Sequence, residues 1–217
     1  MRRNFIILFY FVIVTLYSQA QNQLIVTNLA QNQIPSQIEY KGTVLNAVKW
    51  TDKSGENYVV LTDTIKETPS DYIEDEYADT KEIFAYHYVL SNDSMLKLWR
   101  VYDYVSKCDY DITVSFFMNA FRITDLNNDS IAEVWLMYKL ACRSDVSPAT
   151  MKIIMHQGKE KYAMRGENKA IYGKDEKGNV LFNGGNFKAD TALQKNKIFY
   201  NYALKLWNEN LIENWEN

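Results

Sequence analysis

Apolar and polar positions alternate along most of this chain in short runs rich in Val, Ile, Tyr, Phe and Trp. A two-residue period in that composition is the signature of half-buried β-strands. Residues 43–51 and 56–64 form the first predicted hairpin, with Val44, Val48 and Trp50 set against Val59 and Leu61. Asp52-Lys53-Ser54-Gly55 between them is turn chemistry, with a glycine available for positive φ. Residues 81–90 and 95–105 form a second hairpin around Ser91-Asn92-Asp93-Ser94. Phe84, Tyr86, Tyr88 and Leu90 share one face of its first strand. On its second strand Trp99, Val101, Asp103 and Val105 share a face, opposite Leu98, Arg100, Tyr102 and Tyr104. Further strands are predicted at 113–118, 121–125, 131–140, 151–156 and 161–164. No period of 20–50 residues recurs, so a propeller or solenoid is not expected.

Three stretches depart from that pattern. Residues 21–36 are rich in Gln and Asn and predict an irregular arm. Residues 66–80 are acidic, contain Pro69, and predict a solvated loop. Near the C-terminus Phe199, Ala203, Trp207, Leu211 and Trp215 recur every four residues, flanked by Tyr200, Leu204 and Ile212. That is the apolar stripe of an amphipathic helix, expected to pack on the sheet as core. Thr191 and Gln194 have capping-box spacing, so the helix is expected from about 192 to 215. The predicted fold class is therefore mainly β (α+β): a meandering antiparallel sheet or sandwich with one C-terminal amphipathic helix.

The N-terminus brings in a compartment. Arg2 and Arg3 precede an apolar run of 13 residues, 5–17, and then Ser18-Gln19-Ala20. The run is too short for a membrane span, which needs roughly 20 residues, and suits a cleavable signal peptide cut after Ala20. Residues 1–20 are thus expected to be removed, leaving 21–217 as a single β-rich domain, periplasmic or extracellular, with no membrane span. Loss of Arg2 and Arg3 takes the formal charge from −3 to −5. An acidic chain without a basic cluster argues against nucleic acid as a partner. In an oxidising compartment the two cysteines, Cys108 and Cys142, are expected to form a disulfide.

Candidate chemistry concentrates in Asp125-Leu126-Asn127-Asn128-Asp129-Ser130-Ile131-Ala132-Glu133. Side-chain oxygens at positions 1, 3, 5 and 9, with the Ile131 carbonyl at 7, are the donor set a hard cation such as calcium takes. The proposed ligands are Asp125, Asn127, Asp129, Ile131 and Glu133. The same residue types also build plain hairpin turns, and both readings stand at this point. An EF-hand is ruled out because position 12 is Leu136 and the flanks read as strands. The segment resembles the calcium loop of FG-GAP and related β-propeller repeats, with Ser130 where that pattern has Gly. More widely, Ile123-Thr124-Asp125 through Asp129, Ala141-Cys142-Arg143-Ser144-Asp145-Val146-Ser147-Pro148 and the 151–156 strand resemble a flavobacterial secreted family described as surface polysaccharide biosynthesis proteins. That resemblance implies an envelope setting and a link to surface glycan, with no catalytic residue to carry over.

The remaining chemistry is sparse. His87 and His156 are the only histidines, and no Gly-x-Ser-x-Gly or phosphate-binding loop occurs. Asp145 and Ser147 read as capping residues of a polar loop. The expectation is a non-enzymatic domain that binds surface glycan or an envelope protein, with calcium as a structural ion. The alternative is a glycan-active enzyme using paired carboxylates. A flat aromatic surface favours the first; two carboxylates facing across a cleft favour the second.

Overall fold

The computed structural model describes residues 24–71 and 76–213. The first sheet is a meander of β1 (Thr27–Asn28), β2 (Thr43–Asp52), β3 (Gly55–Pro69), β4 (Tyr77–Ser91) and β5 (Ser94–Cys108), antiparallel and in that spatial order. Both predicted hairpins are present with the predicted turns. The chain then passes through β6 (Asp111–Phe116), β7 (Arg122–Thr124), β8 (Glu133–Arg143), β9 (Thr150–Gln157) and β10 (Glu160–Glu167). These build a second antiparallel sheet, in which β6 and β7 lie end to end along one edge of β8.

Several short strands escaped the sequence reading. β11 (Lys169–Lys174) and β12 (Val180–Gly184) form a small hairpin, and β13 (Phe187–Ala189) closes the far edge of the second sheet on β10. The helix begins at Thr191 but is broken in two: α1 (Thr191–Lys195) and α2 (Lys197–Glu209). Its N-cap is Asp190, whose carboxylate accepts from Leu193 N at 2.8 Å, in place of the Thr191 box. Asn196 interrupts the helix because its side chain caps a new start at Phe199 N, 3.2 Å away. After Glu209 the chain leaves the helix and runs as β14 (Ile212–Glu213), parallel to β11. Leu211 and Ile212 are therefore outside the helix, and Trp215 lies outside the described residues, as does the predicted signal peptide.

The burial pattern explains the layering. Inward residues of the first sheet, such as Trp50, Val59, Leu61, Ile83 and Val101, meet Val134, Leu136, Tyr138 and Ile154 of the second. The opposite face of the second sheet, with Trp135, Met137, Ile153 and Met155, is covered by Phe199, Ala203, Leu206 and Trp207. The predicted helical stripe is thus core. The outer face of the first sheet carries Tyr58, Phe84, Tyr86 and Tyr88, and the 24–42 arm lies over it through Leu29, Ile34, Ile38 and Tyr40. The arm is fastened by Lys41 N donating to Tyr86 Oη (3.1 Å) and Tyr88 Oη donating to Glu39 O (2.8 Å). It is a sandwich with an arm on one side and a helix on the other.

The solvated loop expected over 66–80 is a correction. Lys66 to Pro69 pair with Thr80 to Tyr77 as the end of the β3–β4 hairpin, and only 70–76 connect the strands. Ala78 is fully buried and Thr80 nearly so, with Thr80 Oγ1 accepting from Lys107 N at 3.0 Å. Charge on the outward positions hid a strand whose inward positions are small. Cys108, at the end of β5, is bonded to Cys142 in β8, so the disulfide ties one sheet to the other.

Candidate functional site

The 125–133 segment is a tight loop between β7 and β8, with Asn128 and Ser130 both at positive φ, 57° and 67°. Ser130 adopts the left-handed conformation that glycine takes more readily. Asp125 accepts from Asp129 N and Ser130 N, each at 3.1 Å, and Asp129 accepts from Ile131 N at 2.8 Å. Three of the predicted ligand oxygens converge. Asn127 Oδ1, Asp129 Oδ2 and Ile131 O lie 3.4, 2.9 and 3.2 Å from one nitrogen, the side-chain amide of Gln157. Glu133 does not join them. Its buried carboxylate turns to Thr124 Oγ1 (2.6 Å) and Leu126 N (2.9 Å). Desolvation raises its pKa, and those two donors only partly oppose the shift.

This loop also locks the two sheets together. Lys53 N donates to Ser130 O at 2.8 Å, and Asp52 accepts from Ala132 N at 3.0 Å. Asp52 further accepts from Trp50 Nε1, from Ser54 and from Asn57. Burial pushes its carboxyl up, but these bonds outweigh burial and hold it below the usual range. Asp52 and Asp125 line one cleft of about 350 Å³ with Thr51, Lys53 and Ser130. Both carboxylates there are taken by hydrogen-bond donors.

The histidines stand inside the sandwich. Trp50, His87, Trp99 and His156 form a stack with successive centroid spacings of 5.3, 5.0 and 4.3 Å. Burial drives His87 down to about 3 and, with Lys161 nearby, His156 down to about 4. Both are neutral structural groups at pH 7. Asp145 accepts from Ser147 N at 2.9 Å, which makes the 144–148 loop the turn its sequence indicated.

The feature open to a ligand is on β5. Its outward positions Arg100, Tyr102 and Tyr104 escape the arm. Tyr102 is 40% exposed and Tyr104 50% exposed. Their rings stack at 5.4 Å with 18° between planes, and Tyr102 stacks in turn on Phe84 at 5.0 Å and 21°. Arg100 sits 5.7 Å over the Tyr102 ring. Tyr102 Oη donates to Glu82 at 2.8 Å, and Glu82 also receives Thr64 Oγ1 and the Lys41 ammonium. Lys41 is the main reason Glu82 falls to about 2. The result is a near-coplanar aromatic ladder whose orientation is set by a buttressed carboxylate. The alternation on 95–105 placed these rings on one face, but only the reach of the arm left two of them uncovered.

A buried ion cluster was not foreseen at all. Glu213 of β14 accepts from Lys139 (2.7 Å), Arg143 (2.8 Å) and Asn168 (2.7 Å). Glu213 is 45 to 74 positions along the chain from its three partners, and no local pattern announces them. No protein-family model, no curated protein and no solved structure matches this chain.

Proposed function

We propose that this chain is a non-catalytic, exported binding domain that holds a surface glycan on the Tyr102–Tyr104 ladder. The carrying observation is that ladder: two stacked, solvent-exposed rings on a rigid strand, edged by Arg100, Glu82 and Lys41. Flat aromatic faces of fixed orientation suit the apolar face of a sugar ring, and the polar rim suits its hydroxyls. The resemblance to surface polysaccharide proteins supports the same ligand class. The carboxylates of the Asp52–Asp125 cleft weigh against the hydrolase alternative, because both are taken up by hydrogen-bond donors and Asp52 is held below the usual range.

Retention of the protein on a panel of immobilised polysaccharides, compared with the Tyr102→Ala/Tyr104→Ala variant, tests the reading. At least about a tenfold loss of retention is expected, with the cooperative thermal unfolding kept and Tm lowered, because Tyr102 also stacks on Phe84 and donates to Glu82. Equal retention of the two proteins overturns it. Calcium enters this reading as a stabiliser of the 125–133 loop, in competition with the Gln157 amide for the oxygens of Asn127, Asp129 and Ile131.

A further inference from the structure

The second sheet is wider than the first on one side. β5 is the edge of the first sheet and lies over β8 and β9, where Asp103 receives Tyr138 Oη at 3.0 Å and the Lys152 ammonium at 2.6 Å. No strand of the first sheet lies beyond β5, so on the inner face of β10 Lys161 and Arg165 are exposed, with Ala163 buried between them. Between them runs a groove of about 250 Å³.

The charge of this groove runs against that of the protein. The chain carries a formal charge of −3. The groove is lined by Arg100, Lys152, Lys161 and Arg165, with Asp103 as its only carboxylate. Asp103 is committed to Lys152 and Tyr138. Among the described residues, Arg100, Lys161 and Arg165 have no carboxylate within salt-bridge distance. Strand register sets like charges against each other at one position: Arg165 is directly opposite Lys152 on the same face, while Lys161 is opposite the neutral His156. Like charges directly opposite on neighbouring strands cost stability, and an anion between them removes that cost. Lys161 and Arg165 are four residues apart on one strand, hence on one face and about 13 Å apart. That spacing suits successive charges on a chain better than one small ion.

We propose that the groove between β5 and β10 binds the acidic substituents, carboxylate or phosphate, of an anionic polysaccharide, with Lys161 and Arg165 as their main contacts. This rests on the glycan reading above. Tyr102 belongs both to the ladder and to the groove wall, so one glycan chain can stack on the first and place its charges in the second. Arg165 offers a fork that pairs with either anion, and Lys161 a point charge. Nucleic acid is the less favoured polyanion, because the chain is acidic overall and the groove offers only four cations, one of them already paired with Asp103.

Native affinity electrophoresis of the protein decides the matter, with polygalacturonate, a phosphorylated mannan, neutral dextran and single-stranded DNA as the polymers. At least one acidic polysaccharide should retard the protein. Lys161→Gln/Arg165→Gln should weaken that retardation at least about tenfold, and about 0.5 M salt should do the same to the unaltered protein. The two acidic polymers separate the carboxylate source from the phosphate source. The double variant should unfold at the same temperature as the unaltered protein or higher, which excludes misfolding as the cause. Equal retardation of both proteins, or retardation by dextran alone, overturns the anion groove and leaves the glycan reading standing. No retardation by any polysaccharide overturns both. Stronger, variant-sensitive retardation by DNA makes the groove a nucleic-acid site and overturns the assignment.

Discussion

His87 and His156 show how single residues here are controlled by their burial. His87 Nε2 lies 2.9 Å from Asn57 Oδ1. Asn57 spends its amide on Asp52, so the imidazole is the donor in that contact. The Nδ1 atoms of both histidines are buried with no hydrogen-bond partner among the described residues, as fits neutral rings packed against indoles. The ordinary histidine value is 6.5, and the folded values are about 3 and about 4. Above pH 6.5 neither state takes up a proton and the contribution to stability is complete. Below it the unfolded chain binds protons that the folded chain refuses, so stability falls as pH drops from 6.5 towards 4. At pH 5 the loss is about 2 kcal/mol per histidine. Glu133 acts in the opposite sense: its raised carboxyl loses stability as pH rises through the folded value, and offsets part of the slope. Urea unfolding at pH 7 and pH 5 should show the loss, and His156→Gln should remove about half of it. A stability that does not change between these pH values contradicts the buried stack. The histidines were legible as structural from their number and their strand positions, but the two tryptophans packed against them, Trp50 and Trp99, come from two other strands, β2 and β5.

At the scale of elements, legibility followed chemistry that stays local. The 52–55 and 91–94 turns were readable because each carries its own turn residues between two alternating strands. The ends of β3 and β4 were not, because Glu67 and Asp79 are paired across the hairpin and mask the small inward residues beside them. The helix stripe was readable, but the break at Asn196 was not: a side-chain cap competes with helix continuation, and spacing alone does not decide which wins. The 125–133 loop divides the same way. Asn127, Asp129 and Ile131 bring oxygens to one point, Glu133 turns away, and Gln157, from the next strand, fills that point. That contact gives the calcium question a sharp form. A site of ~10⁻³ M affinity would add about 1 kcal/mol at about 5 mM calcium, or about 2–4 °C in Tm for a chain of this size. Gln157→Ala vacates the amide, so its Tm should rise further with calcium over chelator than that of the unaltered protein. No rise in either protein removes calcium from the account.

In the whole molecule two sheets, an arm and a helix are held by a few cross-layer ties. The 52–53 turn grips the 130–132 backbone, Asp103 bridges to Tyr138 and Lys152, and the disulfide joins β5 to β8. The disulfide closes a loop of 34 residues. On the chain-entropy relation such a closure is worth about 3–4 kcal/mol. Cys108→Ser/Cys142→Ser should lower the denaturant-unfolding free energy by about that amount, and a loss below about 1 kcal/mol would show that the other ties suffice.

The amino-acid sequence by itself determined the strand-rich class, the two hairpins, the cysteine pair and the apolar face of the helix. Each of these depends on residues near one another in the chain, or on a count. Tertiary structure alone decided which faces are covered. The arm shields Phe84, Tyr86 and Tyr88 but leaves Tyr102 and Tyr104 in water, and the edge at β5 leaves Lys161 and Arg165 beside an open groove. Alternation assigns a residue to a face of its strand; what lies over that face depends on packing between distant segments, which no local pattern encodes.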